Sequence, residues 1–505
     1  MTTSGVAETI SEDERKLDRG SIAQEILRFL RGPGGHSLIV KGPAGTGKTT
    51  SVVQIAEALG FPLVIGESYI SVRGSTESLL KLYPSMRPPS VEGRKGPNET
   101  LEREDRPPRA ELRKLTGETE DPPPLDEIAF ETFPELVRIY ESVKGVIRRT
   151  WPSPSIVIID SIDALAQHYD VERATVMESR IMNALQRDLV ESGCANIVYV
   201  LEKSGTTPLD YMGDGVVSLS STEHRGRRLR VMTIEKLRGH EIRQPRYLYT
   251  LEKGRLATFE ALQWKRPSLA PRLWSPIVDD GSGGAIASGL PEIDRLFGGL
   301  GPGKILLIKV SNTVPSEVVD GLRVATICNF ASQGRGVAHI PPGKGTAEQV
   351  RDLVGPHLSA AAFEAHVKVL EVAPSTGELA KNAILIEGRW NWAKIEFEFN
   401  LSKSKKPVLA LVALDTLEAL YGPRAMDELS HVLASVRKSR DTLIVLAPSE
   451  NEATRILSSL ANAVLNLEEI DGTIVLYGDK PYTGLFSLSF DWSSGVPDAK
   501  LHPIV

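Results

Sequence analysis

The sequence predicts an α/β protein made of two tandem domains with mainly parallel central sheets, the second a degenerate copy of the first. Three observations carry that prediction. Apolar runs of strand length alternate with segments of helical periodicity. The length, 505 residues, exceeds one ordinary core and suits two or three domains. The halves also resemble each other: Arg19–Gly42 parallels Ser288–Val310, and IVIIDSIDAL parallels LALVALDTLEAL, with Asp415 under Asp160 and Glu418 under Asp163. A repeat of this period with two copies makes a tandem pair. The expected division is a first domain over 1–262, a linker over 263–284 and a second domain over 285–505.

The first element is the apolar run Ser37–Val40, followed at once by Gly42-Pro43-Ala44-Gly45-Thr46-Gly47-Lys48-Thr49 and then Thr50. This satisfies G-x-x-x-x-G-K-[ST] in the strand, turn and helix context that the motif needs. Gly42, Gly45 and Gly47 let the backbone curl so that N–H groups converge on phosphate oxygens, aided by the positive end of the helix near Lys48. Lys48 is expected to neutralise the β- and γ-phosphates and Thr49 to bind Mg²⁺, so the cofactors implied are ATP and Mg²⁺.

The second element is SIVIIDSIDAL, Ser155–Leu165, an apolar run that ends in an acid. A strand buried on both faces looks like this, and its C-terminal end is where parallel sheets hold ligands. Asp160 is therefore placed for the magnesium shell. Asp163 either orients water or is an acid favoured by a helix N-terminus. A helix over Arg173–Ser192 and a strand over Cys194–Lys203 follow. Three strands in GDGVVSLS, Arg227–Gly239 and Arg246–Leu256 are expected to finish the sheet.

These residues together resemble the RecA-like ATPases and, within them, the KaiC-like branch common in archaea. YISVRGSTESLLKLYPSM is similar to the gas-vesicle regulatory protein D (GvpD) family. The resemblance implies two RecA/KaiC-like domains and a homo-oligomer in which Lys236 and Arg238, in KLRGHE, reach the γ-phosphate held by a neighbouring subunit, in the manner of an arginine finger. An edge strand with solvated basic residues is the alternative for that segment, because Arg225, Arg227, Arg228, Arg230, Arg243 and Arg246 make the region generally basic. Such a cluster leaves nucleic acid open as a partner, with Tyr247 and Tyr249 as the aromatic residues interleaved. One departure from the KaiC-like pattern concerns the catalytic base: Arg73 and Gly74 stand where it has glutamates, leaving Glu67, Glu77 and Asp163 as substitutes.

In the second copy SNTVPSEV, Ser311–Val318, replaces the phosphate loop: it has no glycine, no lysine, and a proline, Pro315, that removes a donor. Structural support, a surface for a protein partner and one face of a shared site are the roles open to it. Between the first copy's strands, about 84–128 is dense in proline and mixed charge and reads as a mobile insertion, a solvated loop or a lid. Trp264 and Trp274 in the linker are expected to pack on a domain surface or a neighbouring protomer.

Net charge is −6, so no global basic field marks a nucleic-acid binder. Two cysteines, Cys194 and Cys328, argue against a disulfide framework. A polar, acidic N-terminal stretch and the lack of about 18 uninterrupted apolar residues read as a soluble, cytoplasmic protein that does not enter membranes. The function expected is a Mg-ATP-binding, slowly hydrolysing regulatory or assembly switch. A recombinase-like DNA-binding ATPase and a non-catalytic nucleotide-sensing scaffold are the alternatives.

Overall fold

The computed structural model describes residues 22–71, 75–88, 134–150, 155–165, 171–262, 270–279, 285–371, 380–386 and 390–505. The chain divides into two compact units, Met1–Glu260 and Ala261–Val505.

In unit 1 the described elements are α1 (Gln24–Leu30), β1 (Ser37–Lys41), α2 (Lys48–Leu59), β2 (Tyr69–Ser71), α3 (Thr76–Leu82), α4 (Pro134–Thr150), β3 (Ser155–Asp160), α5 (Val171–Leu185), β4 (Ala195–Leu201), β5 (Gly215–His224), β6 (Arg227–Leu237), β7 (Arg246–Thr250) and β8 (Ala257–Phe259). They build a sheet of order β2-β3-β4-β1-β5-β6-β7-β8. The strands from β2 to β5 are parallel and the remainder antiparallel. β1 and β4 are buried along their whole length, because helices cover both faces and each alternate side chain meets a core. β8 is an additional strand beyond the three that the sequence predicts after β4.

In unit 2 the elements are α6 (Pro291–Phe297), β9 (Ile305–Val310), α7 (Ser316–Ser332), β10 (Arg335–Ile340), α8 (Ala347–Val354), α9 (Ala360–His366), β11 (Val367–Glu371), β12 (Ala383–Leu385), α10 (Trp392–Leu401), β13 (Lys405–Ala413), α11 (Leu414–Tyr421), α12 (Ala425–Ser439), β14 (Thr442–Pro448), α13 (Glu452–Leu460), β15 (Ala463–Ile470), β16 (Thr473–Lys480), β17 (Phe486–Asp491) and β18 (Asp498–Pro503). The order β12-β11-β10-β13-β14-β9-β15-β16-β17-β18 repeats that of unit 1 from β10 onward and adds β11 and β12 at the edge. The fold is thus α/β with two similar, mostly parallel sheets.

Register makes the repeat residue-specific. Leu38 pairs with Gly215 as Leu306 pairs with Ala463. The bulge after Val216 recurs after Val464. In both copies the residue left over by the bulge is an acid that pairs with the lysine at the end of the first strand: Glu235 with Lys41 at 2.8 Å, Asp479 with Lys309 at 3.4 Å. Register also amends one alignment read from the sequence. Asp160 lies level with Val200 and Val40, whereas the corresponding level in unit 2, beside Leu446 and Ile308, is occupied by Ala413. β13 gives way to α11 at Leu414, so Asp415 sits in a helical first turn, where its carboxylate accepts from the Gly343 N–H at 2.9 Å.

Two expectations about irregular segments meet the structure in part. Residues 84–88, at the start of the expected insertion, are held by unit 1: Met86 is buried, and Arg87 exchanges backbone bonds with Leu63 and Ile65. The rest of that insertion and Trp264 lie outside the described residues. Trp274 packs into the core of unit 2, its Nε1 donating to Asn329 Oδ1 at 3.1 Å.

Candidate nucleotide site

The phosphate loop connects β1 to α2. Gly42, Gly45 and Gly47 have φ of 150°, 76° and 88°. At Gly42 a Cβ would lie 2.2 Å from the Leu219 carbonyl oxygen, and at Gly47 2.7 Å from Leu251 Cδ2. Backbone conformation favours glycine at both positions, and at Gly42 the fixed backbone carbonyl leaves no space for a side chain. The loop's carbonyls are held by protein groups. Thr46 Oγ1 and Lys48 Nζ both donate to Pro43 O at 2.8 Å. Tyr249 donates to Thr46 O at 2.7 Å, and Arg230 Nη1 to Gly45 O at 3.2 Å. Pro43, Ala44 and Gly45 face solvent while Thr46 and Lys48 are buried. Fixing carbonyls inside the protein suits a phosphate cradle, because a phosphate recruits N–H groups.

Beside the loop, Thr49 Oγ1 donates to Asp160 Oδ2 at 2.6 Å, and the Tyr69 hydroxyl donates to the same oxygen at 2.7 Å. Burial first, then the Asp160 charge, pushes the Tyr69 phenol far above its ordinary value, so it remains a donor. Thr50 and Tyr83 share a hydrogen bond of 3.0 Å. A hydroxyl and a carboxylate this close form the small oxygen set that Mg²⁺ prefers, and the glycine cradle fits a polyphosphate.

The candidate bases are spread out. Asp163 Oδ2 accepts from the Glu202 N–H at 3.0 Å, just beyond the end of β4. Glu67 is paired with Arg149 from α4. Glu77 is exposed in the first turn of α3. Arg73 and Gly74 lie outside the described residues.

Lys236 and Arg238 sit at the opposite end of the sheet from the phosphate loop. Lys41, which leads into the loop, is level with Ser218 and Thr233, whereas Gly215, level with Leu38, pairs with Leu237. Lys236 Nζ donates to the backbone oxygens of Gly213 at 2.5 Å and Asp210 at 3.2 Å. Lys480, its counterpart by register, donates to Ala461 O, the counterpart of Gly213. Because the copy without a phosphate loop keeps this bond, anchoring the turn before the fifth strand is a role that Lys236 fills irrespective of nucleotide. Arg238 differs. Its Nη1 contacts Asp214 Oδ1 at 3.0 Å and its side chain is 61% exposed. Burial raises the Asp214 pKa, but hydrogen bonds from Gln186 and Ser37 and the Arg238 charge outweigh it and bring the value below normal. In unit 2 Asn462 stands for Asp214 and bonds Ile305 N, as Asp214 bonds Ser37 N. The Arg238–Asp214 ion pair therefore belongs to the copy with the phosphate loop.

Of the six arginines in the basic region, Arg227 and Arg230 are buried and Arg225, Arg228, Arg243 and Arg246 exposed. Sequence reasoning missed the contacts of Arg230, Tyr69 and Tyr249 with the site. No motif marks them, since each arrives on a different strand. Ser311–Val318 leads straight into α7, with Ser311 Oγ and Thr313 Oγ1 sharing a 3.0 Å hydrogen bond where unit 1 has its glycine cradle.

Residues 26–235 match the family described as GvpD gas vesicle protein, P-loop domain. Over 95% of its length the chain is similar to two Halobacterium salinarum proteins: 24% identical to Protein GvpD2 over 511 residues and 20% identical to Protein GvpD1 over 547, each covered to 96%. No helix among the described residues is long and apolar enough to cross a membrane. The glycine cradle and the Thr49–Asp160 pair thus lie within the segment that matches the GvpD P-loop domain, and the chain as a whole is similar to the GvpD proteins.

Proposed function

We propose that this protein is a Mg-ATP-binding, slowly hydrolysing regulatory switch that works as a homo-oligomer. Unit 1, Met1–Glu260, holds the nucleotide, and unit 2, Ala261–Val505, is a degenerate, regulatory module that binds a protein partner. The observation that supports this most is the single pre-assembled site: glycines at positive φ, Lys48, and Thr49 bonded to Asp160. Lys48 and the loop N–H groups would hold the phosphates. Bound Mg²⁺ would neutralise phosphate charge. Thr49 and Asp160 would hold the ion, with Tyr69 keeping the Asp160 carboxylate in place.

Slow turnover is the reading that the candidate bases favour, since Glu67 is paired with Arg149, one Asp163 oxygen is taken by the Glu202 N–H and Glu77 is exposed on α3. The same observation supports a second reading, a nucleotide-sensing scaffold without turnover. The position of Arg238 at the far end of the sheet supports assembly, because from there it serves a γ-phosphate only in another protomer. Phosphate release measured with and without DNA, beside nucleotide stoichiometry, tests the readings together. Slow release unaffected by DNA, with one ATP per chain, is expected. DNA-stimulated release would favour the recombinase-like reading, and no release with intact binding would favour the scaffold.

A further inference from the structure

Unit 2 lacks the phosphate loop but has two strands that the described sheet of unit 1 does not, and these carry a cavity. It measures about 450 Å³ and lies between edge strands β11 and β12 and helix α10. That volume falls in the range of small-molecule sites, about 300–1,000 Å³. Its apolar lining includes Leu370 and Ile395, both in the core under α10, and Ile384, which packs against that core. Trp390 adds a large ring.

The polar lining is mainly cationic. Lys368 comes from β11, Lys381 from just before β12 and Lys394 from the first turn of α10, so three separate segments each contribute a lysine. Lys381 is paired on the outside with Glu364 at 2.8 Å, both side chains being well exposed. Lys368 and Lys394 make no side-chain hydrogen bond or ion pair among the described residues. Glu398, one turn beyond Lys394 on the same helix, is the acid in the lining and leaves an excess of positive charge. The N-terminus of α10, ten residues long and capped by Asn391 on the Ala393 N–H at 3.0 Å, adds its positive end at the same wall. Lys368 and Lys394, beside an apolar floor, leave positive charge available to a ligand.

We infer that this cavity binds a small organic anion, a carboxylate or phosphate ester with an apolar body, whose charged group is held by Lys368 and Lys394 while its body covers Leu370, Ile384 and Trp390. Unit 2 is on this account a ligand-binding module. The site is independent of the phosphate loop and stands whether or not unit 1 hydrolyses ATP.

The test uses the full chain and 8-anilinonaphthalene-1-sulfonate, an anionic probe with an apolar body, titrated by fluorescence. N-phenyl-1-naphthylamine, its uncharged analogue, serves as comparison. Saturable binding of one sulfonate probe per chain is expected, unaffected by Lys48→Ala and weakened about tenfold by Lys368→Gln with Lys394→Gln, since two charge-assisted bonds are lost. The neutral analogue should bind both proteins alike. Circular dichroism and melting temperature of the double variant establish that it is folded; both lysines are partly or fully exposed, so folding should persist. Equal sulfonate affinity in the folded double variant would overturn the proposal, as would sulfonate binding that is abolished by Lys48→Ala.

Discussion

The two sheets share eight strands in the same order, the same bulge, the same acid–lysine pair at the end of the first strand and the same lysine bond to the turn before the fifth. They differ where the first strand meets its helix, at the end of the third strand, and at the edge. Shared features identify what the fold needs mechanically. A bulge leaves one extra residue on the strand, and in both copies that residue is an acid facing a lysine of the first strand. Unshared features identify what function added to one copy. By that criterion Lys236 belongs with the scaffold, whereas Arg238, one residue further on, is free of that shared duty and open to the nucleotide role proposed for it.

The largest effect expected concerns Arg238. If it acts on a neighbour's phosphate, Arg238→Ala should lower turnover by roughly 10³-fold, the lower end of the arginine-finger scale, with ATP affinity little changed. Turnover per chain should also rise with protein concentration. Folding stability should fall by less than about 1 kcal/mol, because the Asp214 pair is largely exposed on the arginine side. Unaltered turnover in this variant would remove the distinction between Arg238 and Lys236.

Next is nucleotide binding itself. Wild-type chain should take up one ATP, and Lys48→Ala should weaken it by about 10²-fold or more through loss of charge-assisted bonds to phosphate. Calorimetry that found two equal sites per chain would break the asymmetry between the copies.

Lys236→Ala and Lys480→Ala should behave as a matched pair, each costing about 1–3 kcal/mol in chemical denaturation because backbone carbonyls lose their donor. A stability loss in one copy alone would show that the shared bond is not doing shared work.

A smaller, pH-dependent effect is confined to unit 2. His339 is fully buried, donating from Nδ1 to Leu411 O and accepting from Arg323 at Nε2, and burial and the Arg323 charge hold its pKa well below the ordinary value. The unfolded chain takes up a proton near pH 6.5 and the folded chain does not. Stability contributed by this group is therefore present above about pH 6.5 and lost as pH falls, by up to about 1.4 kcal/mol per pH unit. Asp294, pushed up to about 6 by burial, acts in the opposite sense as pH falls, since the folded state takes up the proton first. Urea titrations of wild type and His339→Gln between pH 5 and 7 separate the two: the variant should lose the acid-side decline, and parallel slopes would reject the assignment.

The smallest effect is expected for Tyr69→Phe, which removes one hydrogen bond to Asp160. Magnesium-dependent ATP affinity should fall by about 1 kcal/mol, roughly fivefold, while affinity without magnesium stays the same. Equal losses in both conditions would place Tyr69 in general support of the loop.

Local chemistry wrote the clearest parts of this protein into the sequence. The glycines, Lys48 and Thr49 are legible because a phosphate cradle needs specific residue types within one short segment, and β1, β3 and β4 are legible because strands buried on both faces must be continuously apolar. Duplication was legible for the same reason, since it repeats those segments. Tertiary structure decided the remainder. Arg230, Tyr69 and Tyr249 reach the site from three strands far apart in sequence, and only sheet order brings them together. The alignment of Asp415 with Asp160 failed because register, set by neighbouring strands, ends β13 at Ala413. Which of Lys236 and Arg238 is scaffold also rests on register, because one lies at the end of β6 and the other just past it, and only what the neighbouring strand and turn place beside each distinguishes two residues of like charge.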